Sequence, residues 1–558
     1  QSLMLGIHLH MTKVIMKTRL RIVLSAGIAV LMSGAGGLCR ASGAAMPKLI
    51  EQNGQYALLV DDQPFFVLGG QAHNSSAWPG MLPQVWAAIE GMHANTLEIP
   101  MYWQQIEPRQ GEFDFSVVDT IIKEARSHNV RLVLLWFGTW KNGNTDYTPS
   151  WIKLNPEKYP HVVGRNGQIV VSPSPFAKAT MEADAKAFAA VMKHLKKFDS
   201  RHTVIMIQVE NEPGTYGSPR DFSEAANKLF DGPVPAALLK SEVLQALNKP
   251  TDAKGTWSQV FGRDADEFFH AWAVARYINY VAEAGQAVNP LPMYVNVALV
   301  AEPGGAMHEV IPIYKVAAPA VGVLAPDIYQ QKEQAMKTME YYDRPDNALF
   351  VPETLGSVDY LYEVIRRGGI GFSPFGVDGR RWSANGTPAA ESQRSPLATQ
   401  YAMLRLADGE LGKWIFERRL HLAAVSEQDA KQEVDLGAWL ATISFGSGRR
   451  WGPLPTTQPE AAASPSGRFG GQSNPGGRAV IAQLGDNEFV VMAAQCRVAF
   501  RPSGAHKDKP WQFLKVEEGR YENGMFKLLR LRNGDEVGYG AVSVGAEPVL
   551  FRITMTAW

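Results

Sequence analysis

Two glutamates stand at the ends of apolar segments that have the composition of buried strands. Glu212 directly follows Val-Ile-Met-Ile-Gln-Val-Glu-Asn, residues 204–211, and Glu353 ends Leu-Phe-Val-Pro-Glu, residues 349–353. A charge at the end of an apolar strand is costly unless it is paired or faces a working cleft. Two such carboxyl groups can hydrolyse a glycosidic bond, because one protonates the leaving oxygen while the other attacks the anomeric carbon or activates water. Their separation decides between retention and inversion, and the sequence does not give it.

Each of these residues also has a structural interpretation. Glu212 could pair with a barrel arginine, and Glu353 could likewise be structural. Glu210 is a rival acid, but strand alternation points its side chain away from that of Asn211, so we expect Glu210 in a buried hydrogen-bond network. Asn211 could serve only as a turn former.

The segments that hold the two glutamates belong to a longer alternation of short, β-branched, apolar runs with amphipathic helical stretches. This alternation is typical of parallel βαβ units. Eight runs predict the α/β class and a closed (β/α)8 TIM barrel, in which reacting groups lie at the C-terminal ends of the strands. The predicted strands are 65–70, 96–100, 131–137, 204–210, 293–297, 322–328, 349–353 and 369–374.

The predicted helices lie between these runs. Ser116 can cap a helix that ends near Asn129. The connection 213–292 is unusually long, includes a helical stretch over 265–286, and is a candidate wall of the active site. A helix over about 396–407 would complete the barrel.

Composition divides the chain into three predicted parts. The first, 1–45, is an N-terminal extension with a signal peptide, because basic residues from Lys17 precede a short apolar run and a small-residue exit. That run is too short to span a membrane, so we expect an exported bacterial protein, periplasmic or secreted. The second part, 46–415, is the catalytic barrel. The third, 416–558, is a smaller C-terminal all-β domain, since its alternating runs are typical of antiparallel strands.

Charge and cysteine content exclude several classes of partner. Lys and Arg total 55, as do Asp and Glu, so we expect no nucleic acid partner. Of the two cysteines, Cys39 and Cys496, the first lies in the segment expected to be removed, which leaves no internal disulfide. The sequence contains neither a His-x-x-x-His pair nor a carboxylate cluster at metal spacing, so we expect no metal.

A family resemblance rests on motifs around three strands. Val209-Glu-Asn-Glu-Pro-Gly214 resembles the acid/base strand of barrel glycosidases. Asn95-Thr-Leu-Glu-Ile-Pro-Met-Tyr-Trp103, followed by Glu107-Pro108 and Gly111-Glu-Phe-Asp-Phe115, resembles the second-strand signature of glycoside hydrolase family 35, the β-galactosidases. Pro64-Phe65-Phe66 and Gly69-Gly70-Gln71-Ala72-His73 are similar to that family's first strand. The resemblance covers about 47–382.

The resemblance implies roles for individual residues. Glu212 would be the general acid/base and Glu353 the nucleophile, with no cofactor or metal required. Asn211 would bind the sugar 2-hydroxyl, Tyr329 would hold the nucleophile, and Glu98 would contact or support the sugar site.

Further aromatic and histidine candidates are less specific. Trp140 and Trp382 are candidate sugar platforms in or near the cleft, although a tryptophan in a large domain often belongs to the core. His73 could border the pocket or be a hydrogen-bonded loop histidine.

Three departures from the family pattern bear on specificity. The chain has Pro100 in place of Tyr and Ile106 in place of His, and Phe137-Gly-Thr-Trp140 in place of a Cys-Ala-Glu-Trp segment whose carboxylate grips galactose. The divergent branch that this suggests is similar to bacterial enzymes that remove galactosyl side chains from plant xyloglucan. We therefore expect a retaining exo-β-galactosidase. The alternatives are another retaining β-glycosidase, such as a β-mannosidase or β-glucosidase, and a non-catalytic carbohydrate-binding scaffold. The sequence does not give the oligomeric state.

Overall fold

The computed structural model of the chain describes residues 44–300, 302–379, 396–424, 431–445 and 477–558. The predicted signal peptide, Cys39 and Trp382 lie outside the described residues. Within the described residues, no helix combines the length and the hydropathy that crossing a membrane would need.

A small antiparallel sheet that the sequence analysis did not anticipate precedes the barrel. Two-residue turns join its strands, and both turns use positive φ: Asn53 and Gly54 at 54° and 75°, Asp61 and Asp62 at 53° and 60°. Such turns match the twist of a hairpin, and Asn-Gly is a strong signal for one. The strands are β1 (Lys48–Gln52), β2 (Gln55–Val60) and β3 (Gln63–Phe65).

Eight parallel barrel strands follow and confirm the predicted fold class. Most of their residues are buried on both faces, as expected where helices cover the outside and side chains fill the inside. A short hairpin, β7 and β8, interrupts the series between the third and fourth barrel strands. The strands are β4 (Val67–Gln71), β5 (Thr96–Tyr102), β6 (Arg131–Lys141), β7 (His161–Val163), β8 (Ile169–Pro173), β9 (Val204–Asn211), β10 (Met293–Val297), β11 (Val323–Ile328), β12 (Phe350–Val351), β13 (Glu353–Thr354) and β14 (Gly371–Phe372).

The seventh barrel strand is split at Pro352, and its two halves close the ring. β12 pairs with β14, whereas β13 pairs with β11, so the seventh strand joins the eighth on one side and the sixth on the other. Proline has no backbone N–H to donate to a ladder, which accounts for the interruption. The register of the second half sets Glu353 directly beside Asp327.

The helices cover the outside of the barrel. The third begins at Ser116 itself and no side chain caps its N-terminus, so the prediction that Ser116 caps this helix is wrong. The backbone N–H of Ser116 donates to Asp114 Oδ1 at 2.9 Å. The long connection before β10 holds four helices, and the last of them spans the predicted 265–286. The helices are α1 (Leu82–Gly91), α2 (Trp103–Ile106), α3 (Ser116–Ser127), α4 (Ser150–Lys153), α5 (Lys178–Phe198), α6 (Glu224–Phe230), α7 (Ser241–Ala246), α8 (Trp257–Phe261), α9 (Ala265–Gln286), α10 (Ile311–Ala317), α11 (Lys332–Tyr342), α12 (Val358–Arg367), α13 (Pro396–Arg405) and α14 (Leu411–Phe416).

Two antiparallel sheets form the C-terminal part. One has the order β15-β18-β19-β24-β21-β22 and the other β16-β17-β20-β23. Apolar side chains such as Trp439, Phe489 and Ile553 fill a core between them. The strands are β15 (Leu420–Ala424), β16 (Lys431–Asp435), β17 (Trp439–Ser444), β18 (Arg478–Gly485), β19 (Glu488–Ala494), β20 (Cys496–Pro502), β21 (Trp511–Glu522), β22 (Met525–Leu531), β23 (Ala541–Val544) and β24 (Val549–Ala557).

The larger C-terminal sheet is apolar on both faces. Alternate residues of its strands, such as Val480, Val490 and Leu550, join the hydrophobic core of the barrel. Ala44–Trp558 therefore packs as one compact unit, in which the sheet braces the barrel.

A buried asparagine ties together the two strands that supply carboxyl groups to the barrel mouth. Asn347 Oδ1 accepts from Leu324 N at 2.8 Å and from Lys315 Nζ at 2.9 Å. Its Nδ2 donates to Leu324 O at 3.0 Å and to Tyr342 O at 2.9 Å. The side chain thus fixes the entry to the seventh strand against β11.

Replacing this asparagine should destabilise the fold. Asn347→Ala leaves several buried backbone groups without partners, and we expect the free energy of unfolding to fall by about 2–4 kcal/mol. Chemical denaturation measures the change. In Asn155→Ala, which removes one exposed hydrogen bond to Trp151 O, the loss should stay below about 1 kcal/mol. Equal losses in both variants would contradict this role of Asn347.

Candidate active site

The fourth barrel strand ends in a kink that a bulge in the third strand accompanies. Glu210 and Glu212 have φ values of 64° and 45°, in the left-handed region that non-glycine residues seldom occupy. Between the pairs Trp136↔Val209 and Lys141↔Asn211, residues 137–140 of β6 stand opposite Glu210 alone. Strain of this kind costs about 1–3 kcal/mol per residue and is found at functional sites.

A buried polar network holds the kink. Glu210 Oε2 accepts from Trp140 N at 2.7 Å. Asp184 accepts from Thr139 Oγ1 at 2.6 Å and from Trp136 Nε1 at 2.8 Å. Burial raises the pKa of Glu210, and the nearby charge of Asp184 raises it further. Burial also raises the pKa of Asp184. Glu210 thus lies in the buried hydrogen-bond network that strand alternation predicts for it.

Beyond the kink, three carboxyl groups meet. Glu212, Asp327 and Glu353 are all buried, and one oxygen of each lies within 4.8 Å of the others. The sequence shows no carboxylate cluster, so this one arises only from folding and corrects that expectation. Among the described residues it is the group that could share a cation. An approach of two oxygens within 4.8 Å is closer to the roughly 5–5.5 Å separation of carboxyl groups in retaining glycosidases than to the roughly 6.5–9.5 Å in inverting ones.

Glu353 accepts a hydrogen bond at each carboxyl oxygen. Tyr329 OH donates to Oε1 at 2.6 Å, and Gln71 Nε2 donates to Oε2 at 2.9 Å. These two donors fix the orientation of the Glu353 carboxyl group. Burial, and then the charge of Glu353, raise the pKa of Tyr329, so its phenol stays a donor.

Glu212 is placed to hold a proton. Asn142 Nδ2 donates to its Oε2, and Lys141 Nζ lies 3.8 Å from the same oxygen. Burial raises the pKa of Glu212, Lys141 opposes that shift, and Glu353 adds to it. The carboxyl therefore keeps its proton at a higher pH than an exposed glutamate would.

The neighbouring Asn211 is buried, and neither its Oδ1 nor its Nδ2 has a hydrogen-bond partner among the described residues. Buried amides without partners are uncommon and call for an explanation. An amide in this state beside a carboxyl pair is available to a bound hydroxyl group, which is the role that the family resemblance implies.

Glu98 is fully buried and close enough to Glu353 to interact with its charge. Tyr294 OH donates to its Oε2 at 3.1 Å, and Ser373 Oγ donates to its Oε1. Burial raises the pKa of Glu98 to about 8, and the two donors oppose that shift. Of the two roles that the resemblance implied, these contacts fit support rather than contact with a sugar.

The remaining predicted site residues are Trp140, His73 and Trp382. Trp140 is completely buried with its ring edge-on to Tyr277, 4.6 Å between centroids, so the prediction of a sugar platform there is wrong. The bulge turns its side chain into the core. His73 is half-buried on the loop after β4, with its backbone N–H bonded to Asp378 Oδ1 at 2.8 Å. Trp382 lies outside the described residues. The tryptophan that is exposed on a loop after a barrel strand is Trp78, which the sequence analysis did not name.

Five residues that touch the carboxyl groups were also missed. All are polar and lie in or directly after barrel strands, which is the signal that could have found them. Asn296 is the least obvious, because it stands inside an apolar strand. They are Gln71, Lys141, Asn142, Asn296 and Asp327.

Two family models match separate parts of the chain. Residues 83–283 match the family model Glyco_hydro_42, described as β-galactosidase. Residues 397–542 match a domain family of unknown function, DUF5597. Over the first range the chain is similar to glycoside hydrolases of the β-galactosidase kind. That range includes Asn211 and Glu212 and ends before Asp327 and Glu353, and the narrower resemblance to family 35 stays a prediction.

Individual relatives are distant. A β-galactosidase of Xanthomonas manihotis is 28% identical over 167 residues, which are 28% of this chain and 25% of that protein. The chain thus spans about a quarter of the length of this curated relative. The β-galactosidase structure from Bacillus circulans sp. alkalophilus has a TM-score of 0.45 at 13% identity, over 61% of this chain and 56% of that chain. That from Rahnella sp. R3 has a TM-score of 0.42 at 16% identity, over 63% and 56%.

The buried Glu98 should make the stability of the protein depend on pH. An acid whose pKa is raised on folding contributes stability that is fully present below its unfolded pKa and is lost as pH rises through the folded value, here about 8. Between about pH 6 and pH 9 this group should lower the free energy of unfolding by about 2 kcal/mol.

Denaturation of wild type and Glu98→Gln at several pH values tests this dependence. The isosteric amide should remove about 2 kcal/mol of the decline, while any contribution from Glu267, whose pKa burial raises to about 7, persists in both proteins. Glu340→Gln, on the exposed side of α11, should leave the decline unchanged. Parallel curves for wild type and Glu98→Gln would contradict the buried acid.

Proposed function

We propose that the chain is a retaining exo-β-galactosidase that hydrolyses terminal β-D-galactosyl residues by double displacement. The observation that carries the proposal is the close approach of Glu212 and Glu353, with oxygens within 4.8 Å of each other. The match of residues 83–283 to a β-galactosidase family supports the glycoside hydrolase class. The asymmetry of the two environments supports the assignment of roles, because opposed environments separate an acid from a base.

In the first step, Glu353 attacks the anomeric carbon and Glu212 protonates the leaving oxygen. Tyr329 and Gln71 occupy both oxygens of Glu353 and hold its carboxylate in one orientation. The glycosidic bond breaks, a glycosyl ester forms on Glu353, and the aglycone leaves with the proton of Glu212.

In the second step, Glu212 is the base. Once Glu353 is esterified its charge is gone, so the repulsion that helped to raise the pKa of Glu212 is gone as well. The ionised Glu212, with Lys141 Nζ 3.8 Å away, takes a proton from water, and the water oxygen displaces Glu353 from the anomeric carbon. The product keeps the β configuration, and both carboxyl groups return to their first states.

Three parts of the proposal are more specific: the glycone, the polymeric substrate and the cellular location of the protein. Galactose as glycone, xyloglucan as polymer and export to the periplasm or exterior rest on the family resemblance and the predicted signal peptide. One observation favours the alternative of another retaining β-glycosidase: residues 137–140 are buried in a bulge and include no carboxylate, where the family 35 pattern has a galactose-binding one.

A panel of aryl β-glycosides tests the function. We expect the fastest turnover on the galactoside, and the product seen first by NMR to be the β-anomer. Glu353→Gln should lower kcat/KM by about 10³-fold or more, equivalent to about 4 kcal/mol, whereas Glu340→Gln should not change it. Faster turnover of a mannoside or glucoside would overturn the glycone, and a first-formed α-anomer would overturn retention. Wild type inert on every β-glycoside would favour a non-catalytic scaffold.

The leaving group tests the role of Glu212. Because an acidic phenol leaves without protonation, Glu212→Ala should form the glycosyl ester from a dinitrophenyl galactoside at close to the wild-type rate, while an alkyl galactoside should slow by about 10²–10⁴-fold. Burst kinetics measure the first step, and added azide should speed the second by replacing water. An equal loss on both substrates would contradict the general acid.

A further inference from the structure

The third carboxyl group, Asp327, has no part in the two steps above, although it lies within 4.8 Å of both reacting glutamates. It is almost fully buried, with 1% of its surface exposed. An unpaired charge at a buried position costs much free energy. The hydrogen bonds of Asp327 therefore decide whether it carries a charge.

A ring of contacts links Asp327 to Glu212 through one asparagine. The backbone N–H of Glu212 donates to Asn296 Oδ1 at 2.9 Å. Because that contact fixes the amide, Asn296 Nδ2 points the other way and donates to Asp327 Oδ2 at 2.7 Å. One oxygen of Asp327 also lies within 4.8 Å of an oxygen of Glu212, which closes the ring.

The ring determines where a proton must sit. Asp327 Oδ2 already accepts from Asn296, and no described donor reaches Oδ1. Two carboxyl groups in contact need one proton between them. That proton belongs on Asp327 Oδ1, with the Glu212 carboxyl as its acceptor, because Glu212 has the Lys141 ammonium as well as an amide donor beside it, whereas the donor at Asp327 is the neutral Asn296 amide.

We propose that Asp327 is a permanently protonated positioning residue, which donates a hydrogen bond from Oδ1 to the Glu212 carboxyl and holds it in register throughout the reaction. The proposal deepens the proposed function and rests on it for the role of Glu212. In this role Asp327 is a neutral carboxylic acid that acts as a hydrogen-bond donor.

The surroundings of Asp327 favour its neutral form, although the hydrogen bond from Asn296 acts against the rise in its pKa. Burial raises the pKa of Asp327 well above its usual range, and the charges of Glu353 and then Glu212 add to the shift. The described groups that face it are Glu353 from β13, Glu212 directly after β9, Tyr294 and Asn296 from β10, and Tyr329 after its own strand, and the phenols of Tyr216 and Tyr342 are also close enough to interact with its charge. The nearby ammonium, Lys141 from β6, lies at Glu212.

A neutral donor suits a residue whose partner changes charge. Glu212 is protonated before the first step and ionised before the second. An ionised Asp327 would repel the ionised Glu212, whereas the protonated one can bond to it in that state. The Asn296 link keeps Asp327 in place during the cycle.

Two substitutions separate a neutral donor from a charged group. Asp327→Asn keeps one acceptor for Asn296 and one donor for Glu212, so kcat/KM should stay within about tenfold of wild type. Asp327→Ala removes the donor and should lower kcat/KM by about 10²-fold or more, mainly through kcat. Asp252→Asn, an exposed control, should have no effect. Melting curves confirm folding, and the comparison of wild type with Asp327→Asn decides the case even if the alanine variant does not fold.

The pH profile gives a readout that a merely structural role would not move. With a neutral residue at position 327 in both proteins, the basic limb of kcat/KM, which reports Glu212, should fall at the same pH in wild type and Asp327→Asn. If Asp327 were ionised, the amide would remove a negative charge beside Glu212, lower its pKa and move that limb to lower pH by about one unit or more. That shift, or an asparagine variant as inactive as the alanine one, would overturn the proposal.

A spectroscopic measurement separates this inference from the proposed function. The infrared spectrum of wild type at neutral pH should contain one protonated-carboxyl band that Asp327→Asn lacks. Wild type inactive on every β-glycoside, with that band present, would end the glycosidase proposal and leave the protonation of Asp327 standing. An active wild type without the band would end only the present inference.

Discussion

The mutual repulsion of three buried carboxyl groups is the constraint on which the rest of the site depends. Glu212, Asp327 and Glu353 are buried within 4.8 Å of one another and cannot all be ionised there. Their environments divide the charge among them. Glu353 accepts hydrogen bonds from two neutral donors, while Glu212 and Asp327 have raised pKa values. This division favours one anion beside two acids, which is the starting state that the proposed double displacement needs.

The barrel supplies the compensating groups from almost every direction. Gln71 comes from the first barrel strand, Lys141 from the third, Asn296 from the fifth and Tyr329 from the loop after the sixth. Side chains at the ends of parallel strands converge on one rim, so a closed ring can bring donors to a point that an open sheet would reach from one side only. The split at Pro352 adds the remaining element, because it ends the pairing with the eighth strand and starts the pairing with the sixth at Glu353.

Sequence patterns predicted the barrel because strands that are buried on both faces appear in the sequence as short apolar runs, and eight such runs are present. They did not predict the contacts among strand ends. Asp327 and Asn296 stand inside apolar strands, and only the register shows that they face Glu212 and Glu353. Trp140 was misjudged because a bulge of four residues against one changes which side chains face the core. The hairpin at Asn53-Gly54 had a local signal and was overlooked.

Neutral acids extend beyond the cleft. Glu98, Glu210 and Glu302 are fully buried, and burial is the largest cause of the raised pKa of each. As neutral groups they can stabilise strained backbone, such as the left-handed Glu210, through hydrogen bonds without adding negative charge near Glu353. An arginine in their place would neutralise the nucleophile, and an apolar residue would leave the kink without an acceptor. A shell of protonated carboxyl groups can thus hold the geometry while leaving the charge of the cleft on Glu353.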